Sequence, residues 1–223
     1  MATNTMEKIF YGHKGRQSHK WHHYLEVYDL HLKRFRNTPV RILEIGVQTG
    51  GSLQLWRKYF GPTAVVFGVD IDPACQTFDD QDAKVRIGSQ ADASFLRSVV
   101  AEMGGLDIVV DDGSHVASDQ QISFETLFPQ LSNGGVYVCE DLQASYWDIF
   151  HNGGYKRPGT FIELAKQLVD DIHEWYHDTP PEVVNNAASL IHAICFYEGM
   201  AVIEKRSRPR SYYCGMPPVV SAT

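Results

Sequence analysis

Val109-Val110-Asp111-Asp112-Gly113-Ser114-His115 is an apolar run that stops at two acids, a glycine and a histidine, and Tyr137-Val138-Cys139-Glu140-Asp141 repeats the pattern further along. If both runs are parallel strands, their carboxylates and one imidazole gather at a single edge of a sheet. That edge is the place to look for a metal ion and a base.

The surrounding rhythm supports a sheet. Residues 40–47 and 64–69, the latter ending at Asp70, are short apolar runs, and 106–110 and 135–139 are two more. Short β-branched runs separated by room for a helix read as buried strands of a parallel α/β sheet. Between them, residues 52–59 place Leu53, Leu55, Trp56 and Tyr59 at near-helical spacing, and residues 93–103 do the same with Phe95, Leu96, Val99, Val100 and Met103. Such crossovers suit right-handed βαβ units. Residues 144–160, rich in glycine, aromatic and polar side chains, form a candidate lid. Helical spacing returns over 161–177 through Phe161, Leu164, Ala165, Leu168, Ile172 and Trp175. Residues 190–197 and 200–205, joined by Glu198-Gly199, read as an antiparallel hairpin. The expectation is a mostly parallel sheet closed by that hairpin.

With 223 residues, 43% of them hydrophobic, and no Pro/Ser-rich linker, the chain reads as one domain over 1–223, with an N-terminal extension or lid over 1–38. A formal charge of -7 gives no basic footprint, so nucleic acid is not expected as a partner. Cys75, Cys139, Cys195 and Cys214 show no CxxC pairing and read as free thiols. The first residues lack a signal-peptide core and no apolar run has the ~18 residues of a membrane span, so a cytoplasmic location and no membrane contact are expected. Residues 1–20 look too polar to fold alone; docking on a neighbour, and hence a homo-oligomer, is a plausible expectation.

The turn after the first run carries a ligand signal. Glu44-Ile45-Gly46-Val47-Gln48-Thr49-Gly50-Gly51-Ser52 sets glycines where a strand turns into a helix, so that backbone amides can approach a ligand. It lacks G-x-G-x-x-G spacing, so a pyrophosphate cradle is less well supported, and a purely structural turn also explains glycines. Asp70 ends the second run, where an acid can accept hydrogen bonds from both ribose hydroxyls of an adenosine. The bland alternative is a capping Asp. Asp72 reads as a turn former with Pro73. Ser89 and Gln90 follow a short strand-like stretch, 83–87, and can reach an adenine edge, while Asp92 can simply cap the next helix.

Together, Glu44 to Ser52, Val69-Asp70-Ile71-Asp72-Pro73, Asp111-Asp112-Gly113-Ser114-His115 and Glu140-Asp141-Leu142-Gln143-Ala144-Ser145-Tyr146 resemble the class I S-adenosylmethionine-dependent sugar O-methyltransferases of the macrocin type. The likeness covers residues 18–205. It implies an α/β Rossmann-like methyltransferase fold, a seven-stranded sheet in the order 3-2-1-4-5-7-6 with helices on both faces. It also implies S-adenosylmethionine over strands one, two and four, with a magnesium ion beside the methyl group. Two departures stand out: Gln48 replaces a second loop glycine, and His19 precedes Lys20 where relatives often carry Asp.

In that strand order, strands four and five lie ~4.8 Å apart, so carboxylates at their ends can converge on one cation. Asp112, Glu140 and Asp141 are the expected ligands. Three crowded anions repel unless a hard dication accepts their oxygens, which favours Mg2+ with Mn2+ as a substitute. A capping or Arg-held carboxylate is the alternative for any one of them. His115 is the expected general base for an aliphatic hydroxyl. Asp111 is expected to steer the positive end of the cofactor, alongside Glu44, Gly46, Gly50, Ser52, Asp70, Ser89 and Gln90 as cofactor contacts.

His22, His23 and His31 lie in a segment of helical spacing and read as packing or exposed residues, although His22 or Lys20 can close over the cofactor. His151, with Tyr146, Trp147 and Tyr155, can line an acceptor pocket. Asp79, Asp80 and Asp82 read as a solvated loop. The function expected is methyl transfer to a sugar hydroxyl of a glycosylated natural product or saccharide. The competing readings are a catechol-type phenolic O-methyltransferase, a nicotinamide oxidoreductase and a noncatalytic adenosine-binding module.

Overall fold

The computed structural model of the chain describes residues 4–150, 153–173, 176, 190–207 and 212. Seven strands, β1 (Arg41–Ile45), β2 (Val65–Asp70), β3 (Lys84–Ile87), β4 (Leu106–Asp111), β5 (Leu131–Cys139), β6 (Ile191–Tyr197) and β7 (Met200–Lys205), form one sheet. Its order is β3-β2-β1-β4-β5-β7-β6. The pairs among β1 to β5 are parallel, whereas β7 runs antiparallel to both β5 and β6. The sheet is therefore mixed, with the antiparallel hairpin where the sequence puts it. Glu198-Gly199 closes that hairpin, and Gly199 takes a φ of 69°, which a residue without Cβ adopts freely.

Alternation of side chains sorts the strand residues between two cores. Leu43, Ile45, Val109, Tyr137 and Cys139 pack under α4 (Ala93–Met103), α5 (Ala117–Leu127) and α6 (Phe161–Ile172). Ile42, Val110, Val136 and Val138 pack under α1 (Thr5–Tyr11), α2 (Tyr24–Leu32) and α3 (Gly51–Phe60). The same alternation governs the acids. Glu44 sits in register with Val110, and Val110 with Val138. Glu44 and Glu140 consequently fall on the α1–α3 side, where they meet Ser52 and Tyr28, whereas Asp111 falls on the other side, where it meets Tyr137.

Several expectations change here. The polar N-terminal segment packs on the body of its own chain: Met6 is 1% exposed within the α1–α3 core, and Asn4 and Glu7 close a capping box on α1. α5 carries no clear apolar rhythm because its buried face includes Gln120 and Ser123 beside Phe124 and Leu127. β5 begins earlier than its apolar run, since Leu131 pairs with Leu106 ahead of a bulge. Asp79 and Asp80 are ion-paired, with Lys84 and Arg86 and with Arg16 respectively, and Asp82 accepts from Gln54. The expected continuation of α6 through Trp175, together with His151 and Cys214, lies outside the described residues. No helix among the described residues is long and apolar enough to cross a membrane.

Candidate active site

A cavity of about 500 Å³ opens at the carboxyl ends of β1, β2, β3 and β4. β1 is flanked there by β2 and β4, the switch point where open α/β sheets take their ligands. The loop after β1 is pressed against the end of β4. Gly46 has a φ of 94°, and a Cβ on it would stand 2.0 Å from the Asp112 carbonyl oxygen, so no larger residue fits. Gln48, in the place of the missing loop glycine, is itself left-handed at a φ of 51°. Gly50 shapes the entry to α3, where a Cβ would meet the Phe78 ring at 2.7 Å, and is not part of the cavity wall.

Asp70 is on the wall and also organises the loop. Its Oδ2 accepts the amides of Val47 (2.8 Å) and Gln48 (3.0 Å), and its Oδ1 accepts that of Asp72 (2.9 Å). Burial works against the charged form, but these donors outweigh it and hold the carboxyl below its ordinary range. Asp72 caps the turn that follows, accepting from Ala74, and Asp92 caps α4. Ser89 lines the cavity. Gln90 lines it too, but its polar atoms are engaged: Nε2 donates to Asp111 and Ser123, and Oε1 accepts the Ser114 amide at 2.7 Å. It braces the β4 loop from the cavity wall.

Two expected cofactor contacts are sealed away. Glu44 is fully buried and accepts from the Ser52 hydroxyl at 2.6 Å, leaving Ser52 on the cavity wall and Glu44 behind it. Asp111 is also fully buried, held by Tyr137 at 2.8 Å and by Gln90, and burial pushes its carboxyl up to about 7. Neither reaches the cavity directly. Because consecutive strand residues point to opposite faces, Asp111 turns inward and Asp112 is left at the rim.

At that rim Asp112, His115 and Asp141 converge, each offering one donor atom within 4.8 Å of the others'. His115 Nε2 lies 3.9 Å from Asp112 Oδ1 and 3.7 Å from Asp141 Oδ2. His115 and Asp141 both adopt left-handed backbone, at φ of 57° and 53°. Such conformations persist in non-glycine residues only where the surroundings impose them, and they concentrate at functional sites. The Tyr24 hydroxyl lies 3.0 Å from Asp141 Oδ1 and 2.9 Å from the Gly199 carbonyl, and it accepts the Asp141 amide at 3.3 Å.

Glu140, expected as the third ligand, is not in this group. It is 1% exposed, with Oε2 accepting from Lys20 at 2.9 Å and Oε1 from the Tyr28 hydroxyl. Lys20 also donates to Asp112 Oδ2 at 2.6 Å and faces Glu44 at 3.7 Å. Burial opposes its charge, but Asp112 and Glu140 outweigh that and raise its pKa. Burial pushes the Glu140 carboxyl up to about 8, Lys20 pulls it back and Asp112 pushes it further up. With three acids around one ammonium, the lysine is held in its charged form.

Lys20, Tyr24 and Tyr28 were not legible as partners of these acids. Tyr24 and Tyr28 lie one turn apart on α2, a spacing that the sequence offers equally to plain packing, and Lys20 precedes that helix. Lys20 does line the main cavity, though its ammonium points into the acid group. His22 instead lines a neighbouring cavity of about 410 Å³ with Phe10 and Trp21, which shares Lys20, Asp112 and Asp141 with the first.

Known proteins carry the same arrangement of sequence and fold. The methyltransferase domain family matches residues 43–142, from β1 to just beyond Asp141. The 8-demethyl-8-(2-methoxy-alpha-L-rhamnosyl)-tetracenomycin-C 3'-O-methyltransferase of Streptomyces olivaceus is 43% identical over 196 residues, 83% of this chain and 50% of that protein. Demethylmacrocin O-methyltransferase of Streptomyces fradiae is 35% identical over 201 residues, again 83% and 50%. The MycE methyltransferase of the mycinamycin biosynthetic pathway, solved in complex with Mg, SAH and mycinamycin VI, aligns with a TM-score of 0.78. Its sequence identity is 32%, over 92% of this chain and 54% of that one. The chain thus spans about half the length of the relatives it matches. It belongs to the macrocin-type O-methyltransferase family.

Proposed function

We propose that this chain is a methyltransferase that uses S-adenosylmethionine and Mg2+, with Mn2+ as a possible substitute, to methylate a sugar hydroxyl of a glycosylated small molecule. The observation that carries this reading is the meeting of Asp112, Asp141 and His115 at the rim of a glycine-loop cavity. The relatives' names support it, since they act on sugars borne by polyketide-type compounds.

The residues present fit both groups. The β1 loop and Asp70 line the cavity, and the Asp70 carboxylate is the acceptor that the ribose of an adenosine requires. Asp112 and Asp141 supply the carboxylate oxygens that a hard dication prefers. When bound, the cofactor supplies an electrophilic methyl group and the metal lowers the pKa of a coordinated hydroxyl. Asp112 and Asp141 hold and orient the acceptor's end of the site from the wall shared by the two cavities. The second cavity, between the N-terminal segment and Asp141, receives the sugar. His115 accepts the hydroxyl proton, its ring kept beside both carboxylates by its left-handed backbone. Asp111, Gln90 and Tyr137 fix the β4 end, so the reacting groups are held in place before the acceptor arrives.

The test is methyl transfer from S-adenosylmethionine to a panel of glycosides, read by mass spectrometry with Mg2+ and with a chelator. Transfer that the chelator abolishes is the expected result. Metal-independent transfer, or tight binding of a nicotinamide dinucleotide in its place, would overturn the reading.

A further inference from the structure

The Lys20 ammonium is enclosed by carboxylates from three strand ends, Glu44, Asp112 and Glu140, and its side chain is 5% exposed. Two of those oxygens, Asp112 Oδ2 and Glu140 Oε2, bracket a single point at 2.6 Å and 2.9 Å. The third acid, Glu44, is buried 3.7 Å from the ammonium, an ion-pair distance longer than a hydrogen bond, and is also held by Ser52 and Trp56. A dication held here would draw on the same Asp112 and Glu140 oxygens.

The backbone around Lys20 is arranged to allow such an exchange. Residues 18–22 contain no helix or strand and run between two fixed points. On one side the Gln17 carbonyl accepts from Thr49 and lies where a Cβ on Gly51 would strike it, 2.0 Å away. On the other, His23 bonds the Glu198 carbonyl at 2.9 Å, just before α2. Lys20 can leave without unwinding a helix, and Ser18, His19 and Lys20 face both cavities.

We propose that Lys20 is a placeholder for the divalent metal: ammonium and metal ion exclude one another from the Asp112–Glu140 oxygen pair, so metal loading expels the Lys20 side chain and releases Glu140 as a ligand. This rests on the metal-dependent reading above. Metal binding thereby remodels the wall between the cofactor and acceptor cavities, and an emptied site is filled again by the chain's own cation.

The experiment is acylation footprinting of lysines by mass spectrometry, with and without Mn2+, while Mn2+ occupancy is followed by electron paramagnetic resonance. Lys20 should be protected in the metal-free protein and become labelled as Mn2+ binds, with exposed Lys84 as the invariant control. Replacing Lys20→Met should tighten Mn2+ binding about tenfold or more, because the competing charge is gone. Mn2+ binding with Lys20 still protected would overturn the exchange and leave the proposed function standing. Absence of Mn2+ binding would remove both. Unchanged or weaker Mn2+ affinity in a folded Lys20→Met protein would also refute the exchange, and if that variant fails to fold the footprint of the unaltered chain decides.

Discussion

His115, Asp141 and Gln48 share an unusual property, a left-handed backbone without glycine's freedom, and all three line the main cavity. At Gln48 the conformation serves the loop geometry that Gly46 begins, so Gln48→Gly should stabilise the protein by about 1 kcal/mol, seen as a higher urea midpoint. A lower midpoint would show that the Gln side chain contributes more than the strain costs. At His115 the strain sets the imidazole beside both carboxylates. His115→Ala is therefore expected to cut kcat by about 10²–10⁴ while calorimetry finds S-adenosylmethionine affinity unchanged. Intact turnover would remove His115 as the base.

Each element that holds the site depends on local chemistry that can be altered separately. α4 starts at Asp92, whose carboxylate accepts the amides of Ser94 and Phe95, so Asp92→Ala should cost about 1 kcal/mol in denaturant unfolding. α5 is held mainly by Phe124, fully buried against the rings of Phe128, Tyr137 and Phe161. Phe124→Ala should cost about 3–5 kcal/mol in the same assay. Loosening Tyr137 there would also loosen Asp111 beneath the rim. The element scale also shows why α5 was hard to read. Gln120 and Ser123 are buried because Gln120 meets Cys139 and Ser123 meets Gln90, and such polar partners erase the apolar period. In β1 and β4 the buried acids Glu44 and Asp111 sit at or next to the strand's end, so the apolar runs before them still read plainly.

For the molecule as a whole, burying acids at the sheet edge has a cost that depends on pH. Asp111 is pushed up from 3.8 to about 7 and Glu140 from 4.5 to about 8, both by burial first. The native state therefore binds protons that the unfolded chain has already released. This contribution to stability is fullest below the unfolded values and is lost as pH rises through the folded ones. Urea unfolding of the metal-free protein should show stability falling between about pH 5 and pH 8, and Asp111→Asn should flatten part of the slope. Stability that rises across that window would contradict the burial seen here.

The runs 40–47, 64–69 and 106–110, the glycine loop and the hairpin turn determined by themselves where the strands lie and which ends carry acids. Side-chain alternation and turn chemistry act over a few neighbouring residues, so a linear reading captures them. The resemblance carried by those same motifs supplied the strand order. Only the tertiary structure decided which acids face the cavity. Lys20 and Tyr28 reach Asp112 and Glu140 across 92 and 112 positions of chain, and Glu44 and Asp111 disappear beneath helices whose docking no local pattern encodes. A buried charge is partnered by whatever the closed fold brings within hydrogen-bond reach, and that choice exists only once α2 and α3 have packed on the sheet.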